Sequence, residues 1–375
     1  MSRYMTRMNA NTLLSSLQES GHTPPSARED LGDFILARHR ERDLPVYLRI
    51  VTGIGAFIAV LCLLAFLGIS KIIDFDSAAE MILWGVVFIA NAIVLARNAP
   101  GRGLIGHSFL MQSSFCSVGA GKALFMFGFV NAFHVHSFSG DLWAASAALM
   151  IVTAATYPFY RMWLDRYLSG AGALVMMLCA IIDDRALGAA RIPLLDVFCL
   201  LQIAAAAFFF AHGKIRRDYM PIGYAFITSL CATVGFFAVQ AKIGYGGNAL
   251  YVDPSFVNVS LAAGLILLIG WAAGDIGKLA KQPLLIGALG AALLGFFSAP
   301  GVILAVGLMV LGYARHERLL IAAGGLLTPL FIWCYYYNLD VSLLEKSAIL
   351  VASGLVLLLG KAYMSFKGYG QEKAS

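Results

Sequence analysis

The run YLRIVTGIGAFIAVLCLLAFLGI occupies residues 47–69, and its reading decides the fold. From Ile50 to Ile69 it holds no charged side chain. About 20 apolar residues wound as an α-helix match a bilayer core about 30 Å thick. In lipid a helix satisfies its own backbone hydrogen bonds, so such a run needs no polar partner to be stable there. Residues 47–69 therefore read as a transmembrane helix. The same ruler finds further spans near 78–96, 108–130, 142–160, 167–182, 193–211 and 220–241. Five more follow near 256–274, 283–298, 301–314, 319–337 and 342–363. The expected fold is all-α, a polytopic integral membrane helix bundle of about 12 transmembrane helices. The ninth and tenth spans share one run from Pro283 to Tyr313, interrupted at Pro300-Gly301. There the alternative is a re-entrant hairpin that enters and leaves on the same side.

Composition agrees with that reading. Of the 375 residues, 60% are apolar and 13% charged, and the mean hydropathy is +0.79. A soluble globular chain carries about 25% charged residues. A water-soluble enzyme and a disordered chain are both excluded. The net charge of +6 does not mark a nucleic-acid binder either, because a basic footprint has to be a water-facing surface. Topology accounts for the excess. If residues 1–46 are cytoplasmic, the inner segments, together with Arg49 and Lys361 at the cytoplasmic ends of the first and last spans, hold 21 of the 27 Lys and Arg residues. The outer segments hold only Lys71, Arg185, Arg191 and Lys242, and Lys122 and Lys346 fall within spans away from their cytoplasmic ends. Such an asymmetry is the positive-inside pattern. It places both termini in the cytoplasm.

Three segments follow: a cytoplasmic amphipathic arm over 1–46, a transmembrane domain over 47–364 and a cytoplasmic tail over 365–375. In the arm, Leu13, Leu14 and Leu17 share one side of a short helix, and Leu31, Phe34 and Ile35 form the stripe of a second. Arg38, His39, Arg40 and Arg42 follow. The arm reads either as an interfacial helix with its basic end on anionic headgroups or as a docking arm for a partner. The first apolar run begins only near Tyr47, so no cleavable signal peptide is expected. Close helix packing is expected where small residues recur every four positions, at Gly287, Ala291 and Gly295 and at Gly270 and Gly274.

Ionisable groups inside spans carry the most information, because each costs several kcal/mol at mid-membrane unless paired or hydrated. Lys122 lies about two-thirds along the third span, Lys346 one turn into the last, and Asp196 near the outer end of the sixth, with Gln202 two turns deeper. These positions predict a polar cavity open to the extracytoplasmic face, with Lys122 or Lys346 paired to Asp196. The competing reading is snorkelling, in which lysine stems carry their ammonium groups to the headgroups; it applies best to Lys346 and Lys242, near span ends. The expected substrate-binding residues are Lys122, Asp196, Lys346, Gln202 and Tyr336.

No catalytic residue, cofactor or metal site is expected. The six cysteines lie singly in apolar runs, without the clustering a disulfide framework or zinc site requires. His134 and His136 form an H-x-H with Asp141 as the one nearby carboxylate, short of the ligand set of a zinc site. Pro100-Gly101-Arg102-Gly103 lacks the spacing of a phosphate loop. No Ser-His-Asp, Cys-His or H-E-x-x-H constellation is present.

At the C-terminal end, Tyr335-Tyr336-Tyr337-Asn338-Leu339-Asp340 runs into Ser342-Leu343-Leu344-Glu345-Lys346-Ser347 and on to Gly354-Leu355-x-Leu357-Leu358-Leu359. With the Ala299-Pro300-Gly301 turn and the polar N-terminal arm, this resembles a bacterial inner-membrane family called domain of unknown function 4401. The resemblance implies a polytopic protein encoded beside another polytopic membrane protein and a small membrane-anchored one. It brings no catalytic residues, and it draws attention to Lys346 and the tyrosines before it. The function expected is that of a non-enzymatic subunit of a bacterial envelope membrane complex, embedded in the lipid bilayer of the inner membrane with neighbouring membrane proteins as partners and no nucleic acid. The alternative is a secondary transporter or channel-like protein with a polar site open to the extracytoplasmic side.

Overall fold

A computed structural model describes residues 45–100, 103–133, 137–211, 219–240, 255–274, 282–297 and 299–338, with 344, 347 and 351. Among them the regular structure is helical, with no strand. The helices are α1 (Val46–Ile69), α2 (Ala78–Asn98), α3 (Leu104–Phe133), α4 (Phe138–Thr156), α5 (Trp163–Asp183) and α6 (Arg191–Ala211). Then come α7 (Met220–Gln240), α8 (Ser255–Ala272), α9 (Gln282–Phe297), α10 (Pro300–Arg315) and α11 (Arg318–Asn338). Eleven helices thus stand where the first eleven spans were expected. The twelfth span, the N-terminal arm and the C-terminal tail lie outside the described residues.

Eight of the helices are long and apolar enough to cross a membrane. Their outward faces are what lipid requires: along α1, Val51, Ile54, Phe57, Ile58 and Leu61 are all exposed. The interrupted ninth run forms two helices, α9 and α10, of 16 residues each. At about 24 Å each, they are shorter than a full bilayer core. Pro300 opens α10 at its first position, where a missing N–H costs nothing.

The chain divides into two compact units, residues 1–169 and 170–375, and the division falls within α5. In the first unit α2 packs on α3 almost backbone to backbone. A Cβ on Gly121 would stand 2.7 Å from the carbonyl oxygen of Gly85 and 2.9 Å from the amide nitrogen of Ile89. One on Gly128 would meet the Ala78 carbonyl at 2.9 Å. In the second unit α10 and α11 meet in the same way, Gly324 against the carbonyl of Ala305 at 2.7 Å and Gly312 against the amide of Ile321 at 2.7 Å. Small residues allow this approach, and dispersion contacts then hold the helices without a hydrophobic driving force. The pattern expected on α9 is only partly used. Gly295 lies tightly against Ala262 of α8 and Ala291 is buried, whereas Gly287 has ordinary contact distance to Ile269.

One boundary differs from expectation in a way that matters for the site. The fourth span ends at Thr156 rather than 160, because Pro158 has no N–H to give the carbonyl four residues earlier. The fifth begins at Trp163 rather than 167. Residues 163–166, among them Asp165 and Arg166, read from sequence as part of an inner loop, are therefore helical.

Candidate functional site

The first turn of α5 carries Asp165, and Ser169 follows one turn later on the same face. Opposite them α3 presents Lys122. Its ammonium donates to Asp165 Oδ2 at 2.7 Å and Oδ1 at 2.9 Å, and to Ser169 Oγ at 2.9 Å. All three N–H groups of the ammonium are engaged. Ser169 in turn lies 3.4 Å from Asp165 Oδ1. Lys122 is 4% and Asp165 5% exposed, so the pair is withdrawn from solvent. A helical side chain leans toward the N-terminus of its own helix. That lean carries Lys122 away from the Phe133 end of α3 and toward the first turn of α5.

The α4–α5 turn that delivers Asp165 is pinned from within. Arg166, itself buried, donates from Nε to the Tyr160 carbonyl at 3.1 Å and from Nη2 to the Tyr157 carbonyl. Its guanidinium also lies 3.9 Å above the Tyr157 ring, a cation–π contact. Tyr160 is 1% exposed. Its hydroxyl lies 3.0 Å from Ser114 Oγ of α3 and donates to Met162 Sδ at 3.0 Å. Burial pushes that phenol up to about 12, so it stays protonated. Ser114 also donates to the Ala92 carbonyl of α2 at 2.7 Å, and Ser117 to that of Phe88 at 3.0 Å. Hydroxyls thus tie α3 to α2, while Lys122 ties it to α5.

The pairing expected for Lys122 is corrected here. Its carboxylate is Asp165, 43 residues on, and not Asp196. Sequence reading missed Asp165 because it sits beside Arg161 and Arg166 and looked like part of a charged loop. A signal was nonetheless present: Asp165 and Ser169 are four residues apart, ahead of an apolar run.

The other expected site residues lie in the second unit or outside the described residues. Gln202 of α6 is fully buried; its Nε2 donates to Ser229 Oγ at 2.7 Å, and its Oε1 accepts from Thr233 Oγ1 at 3.1 Å. That joins α6 to α7 by side-chain hydrogen bonds in an apolar setting. Asp196, two turns nearer the start of α6, has a buried Oδ1 that no described donor reaches. Tyr336 is half-buried on α11. Lys346, Lys242, His134 and His136 lie outside the described residues. Among the described residues, no three His, Cys, Asp or Glu side chains are grouped as a metal would need.

The model of the family described as domain of unknown function (DUF4401) matches residues 45–365. No curated protein and no solved structure matches the chain. With most of its length covered, the chain belongs to that family, and it is a membrane-embedded protein of apolar helices.

Proposed function

We propose that this member of a family without an assigned activity is a transporter or channel-like protein of the bacterial inner membrane, not an enzyme, with Lys122, Asp165 and Ser169 as its polar working site. One observation carries the reading: a closed Lys–Asp pair lies buried between two helices that are apolar enough to span a bilayer. Withdrawing two charges from water costs several kcal/mol per ion, and apolar residues of like volume would usually hold helices together as well or better. Intramembrane charges are accordingly a mark of ion and substrate pathways.

Twelve spans with both termini cytoplasmic complete the reading, supported by the positions of eleven helices and the bias of 21 basic residues against 4. In that orientation α3 and α5 both begin at the cytoplasmic side. The pair is then approached from the cytoplasm, through the α4–α5 turn, rather than from the outer face.

The test is to reconstitute the full chain in vesicles and record charge movement on concentration jumps of small organic anions and cations. Transport gives a current with one class, lost in Asp165→Asn protein that still folds. A second reading, a non-enzymatic subunit of an envelope complex, has its own support: with all three ammonium protons engaged, the pair in this state offers nothing to a solute. That reading requires silent vesicles. It also requires a second membrane protein recovered in stoichiometric amount when the tagged chain is extracted in native lipid.

A further inference from the structure

Arg315 ends α10 with a charge that no described carboxylate answers. Its Nε and Nη2 are buried without a hydrogen-bond acceptor. The described contact of its guanidinium is with Trp271 of α8, whose ring centroid lies 5.3 Å away, within cation–π range. A guanidinium stays protonated in a protein, so it cannot escape the cost of burial by losing a proton.

The ordinary partners are already taken. The last carbonyls of α10, at Gly312 and Tyr313, accept from the backbone N–H groups of Glu317 and His316. Glu317 takes a hydrogen bond from Tyr224 of α7. The other described carboxylates of the second unit, Asp183, Asp184 and Asp196, stand around the start of α6. Tyr224 lies instead against Phe210 near the end of that helix, with 5.3 Å between ring centroids, roughly 20 Å along it from Asp196. Snorkelling does not explain the geometry either, since it would carry the guanidinium out to water.

The setting points to what completes the site. Tyr313, two residues before Arg315, and Leu319, in the first turn of α11, are 78% and 64% exposed, as lipid-facing side chains are. In the proposed orientation this is the cytoplasmic end, where aromatic and basic side chains meet the headgroups and anionic lipids attract cations. We propose that Arg315, seated against Trp271, binds a phosphate-ester anion, supplied by the headgroup of an anionic phospholipid in the cytoplasmic leaflet. Nη1, which is not among the buried nitrogens, gives the headgroup its first contact. Once Nη2 turns outward, the planar fork sets two N–H groups on two phosphate oxygens. Such a site serves a transporter and a complex subunit alike.

The test places the full chain in nanodiscs of phosphatidylcholine carrying a minor share of phosphatidylglycerol. Native mass spectrometry then identifies the lipids that stay bound when the protein is released. Wild type is expected to retain phosphatidylglycerol over phosphatidylcholine, a preference that falls at least about fivefold in Arg315→Gln. Arg318→Gln, which removes an exposed charge at the start of α11, is expected to keep it. Equal retention by Arg315→Gln overturns the proposal, and so does an equal loss in Arg318→Gln, because general surface charge would then suffice. Inorganic phosphate added to delipidated protein separates the two sources of the anion. If it raises the thermal midpoint of wild type as much as phosphatidylglycerol does, the lipid assignment falls. Should Arg315→Gln not fold, wild type decides alone: no preference for phosphatidylglycerol overturns the proposal.

Discussion

Lys122 Nζ lies 2.7 Å from Asp165 Oδ2, and both side chains are almost wholly withdrawn from solvent. The two residues come from the middle of one helix and the first turn of another. Each is the reason the other can remain charged. Removing one partner strands the other as a bare buried ion, at a cost of about 3–5 kcal/mol. Lys122→Met and Asp165→Asn are therefore each expected to lower the thermal midpoint of the purified protein sharply. The double variant should recover much of that loss, because no charge is then left alone. A double-mutant cycle measures this as a coupling energy; strictly additive losses would contradict the geometry.

Gly121 offers a test of the α2–α3 packing. Gly121→Ala places a methyl group against the backbone of Gly85 and Ile89, and overpacking of this kind costs about 1–3 kcal/mol. Gly119, two residues away, has nothing within 4 Å of its would-be Cβ. Gly119→Ala is thus expected to leave stability unchanged or raise it by up to about 1 kcal/mol through helix propensity. Denaturation of the two variants side by side reads the difference.

Gln202→Leu removes the side-chain bonds to Ser229 and Thr233. Hydrogen bonds between membrane helices are worth roughly 0.6–1.7 kcal/mol, and both hydroxyls can fall back on carbonyls of their own helix, as Thr233 already does with Ser229. The expected loss is about 1 kcal/mol, well below that at Lys122. A loss as large as that of the ion pair would mean Gln202 does more than join helices.

Tyr160 gives a pH dependence with a definite sign. Its phenol is pushed up to about 12 by burial, against about 10 in the unfolded chain. Between these values the unfolded state has lost a proton that the folded state keeps. Stability is therefore complete below pH 10 and falls as pH rises toward 12. Tyr160→Phe should flatten that part of the profile. Thermal midpoints taken from pH 8 to 11 on both proteins check it, and identical slopes would contradict the buried phenol.

The helices were legible because lipid imposes one simple demand, a long apolar run, and α1 meets it without interruption from Ile50 to Ile69. Lys122 stood out for the same reason, a charge in such a run. Its partner did not. Asp165 belongs to the start of a helix whose first residues are polar, and at helix ends hydropathy no longer separates span from loop. Nor does linear spacing reveal which of two distant aspartates a lysine faces. Gln202 and Asp196 were equally visible as polar residues in apolar sequence, yet one is bonded on both sides and the other has an oxygen without a donor. That difference depends on Ser229 and Thr233 of the next helix, which sequence alone cannot rank above other small hydroxyl residues.

The most direct test of the central claim compares Lys122→Met/Asp165→Asn double-variant protein with wild type in the same vesicles, reading thermal stability and solute-driven current together. A working pair predicts a variant that remains folded and near wild-type stability yet carries no current. A current retained at wild-type size would contradict the claim, leaving the ion pair as structural support and the function elsewhere in the chain.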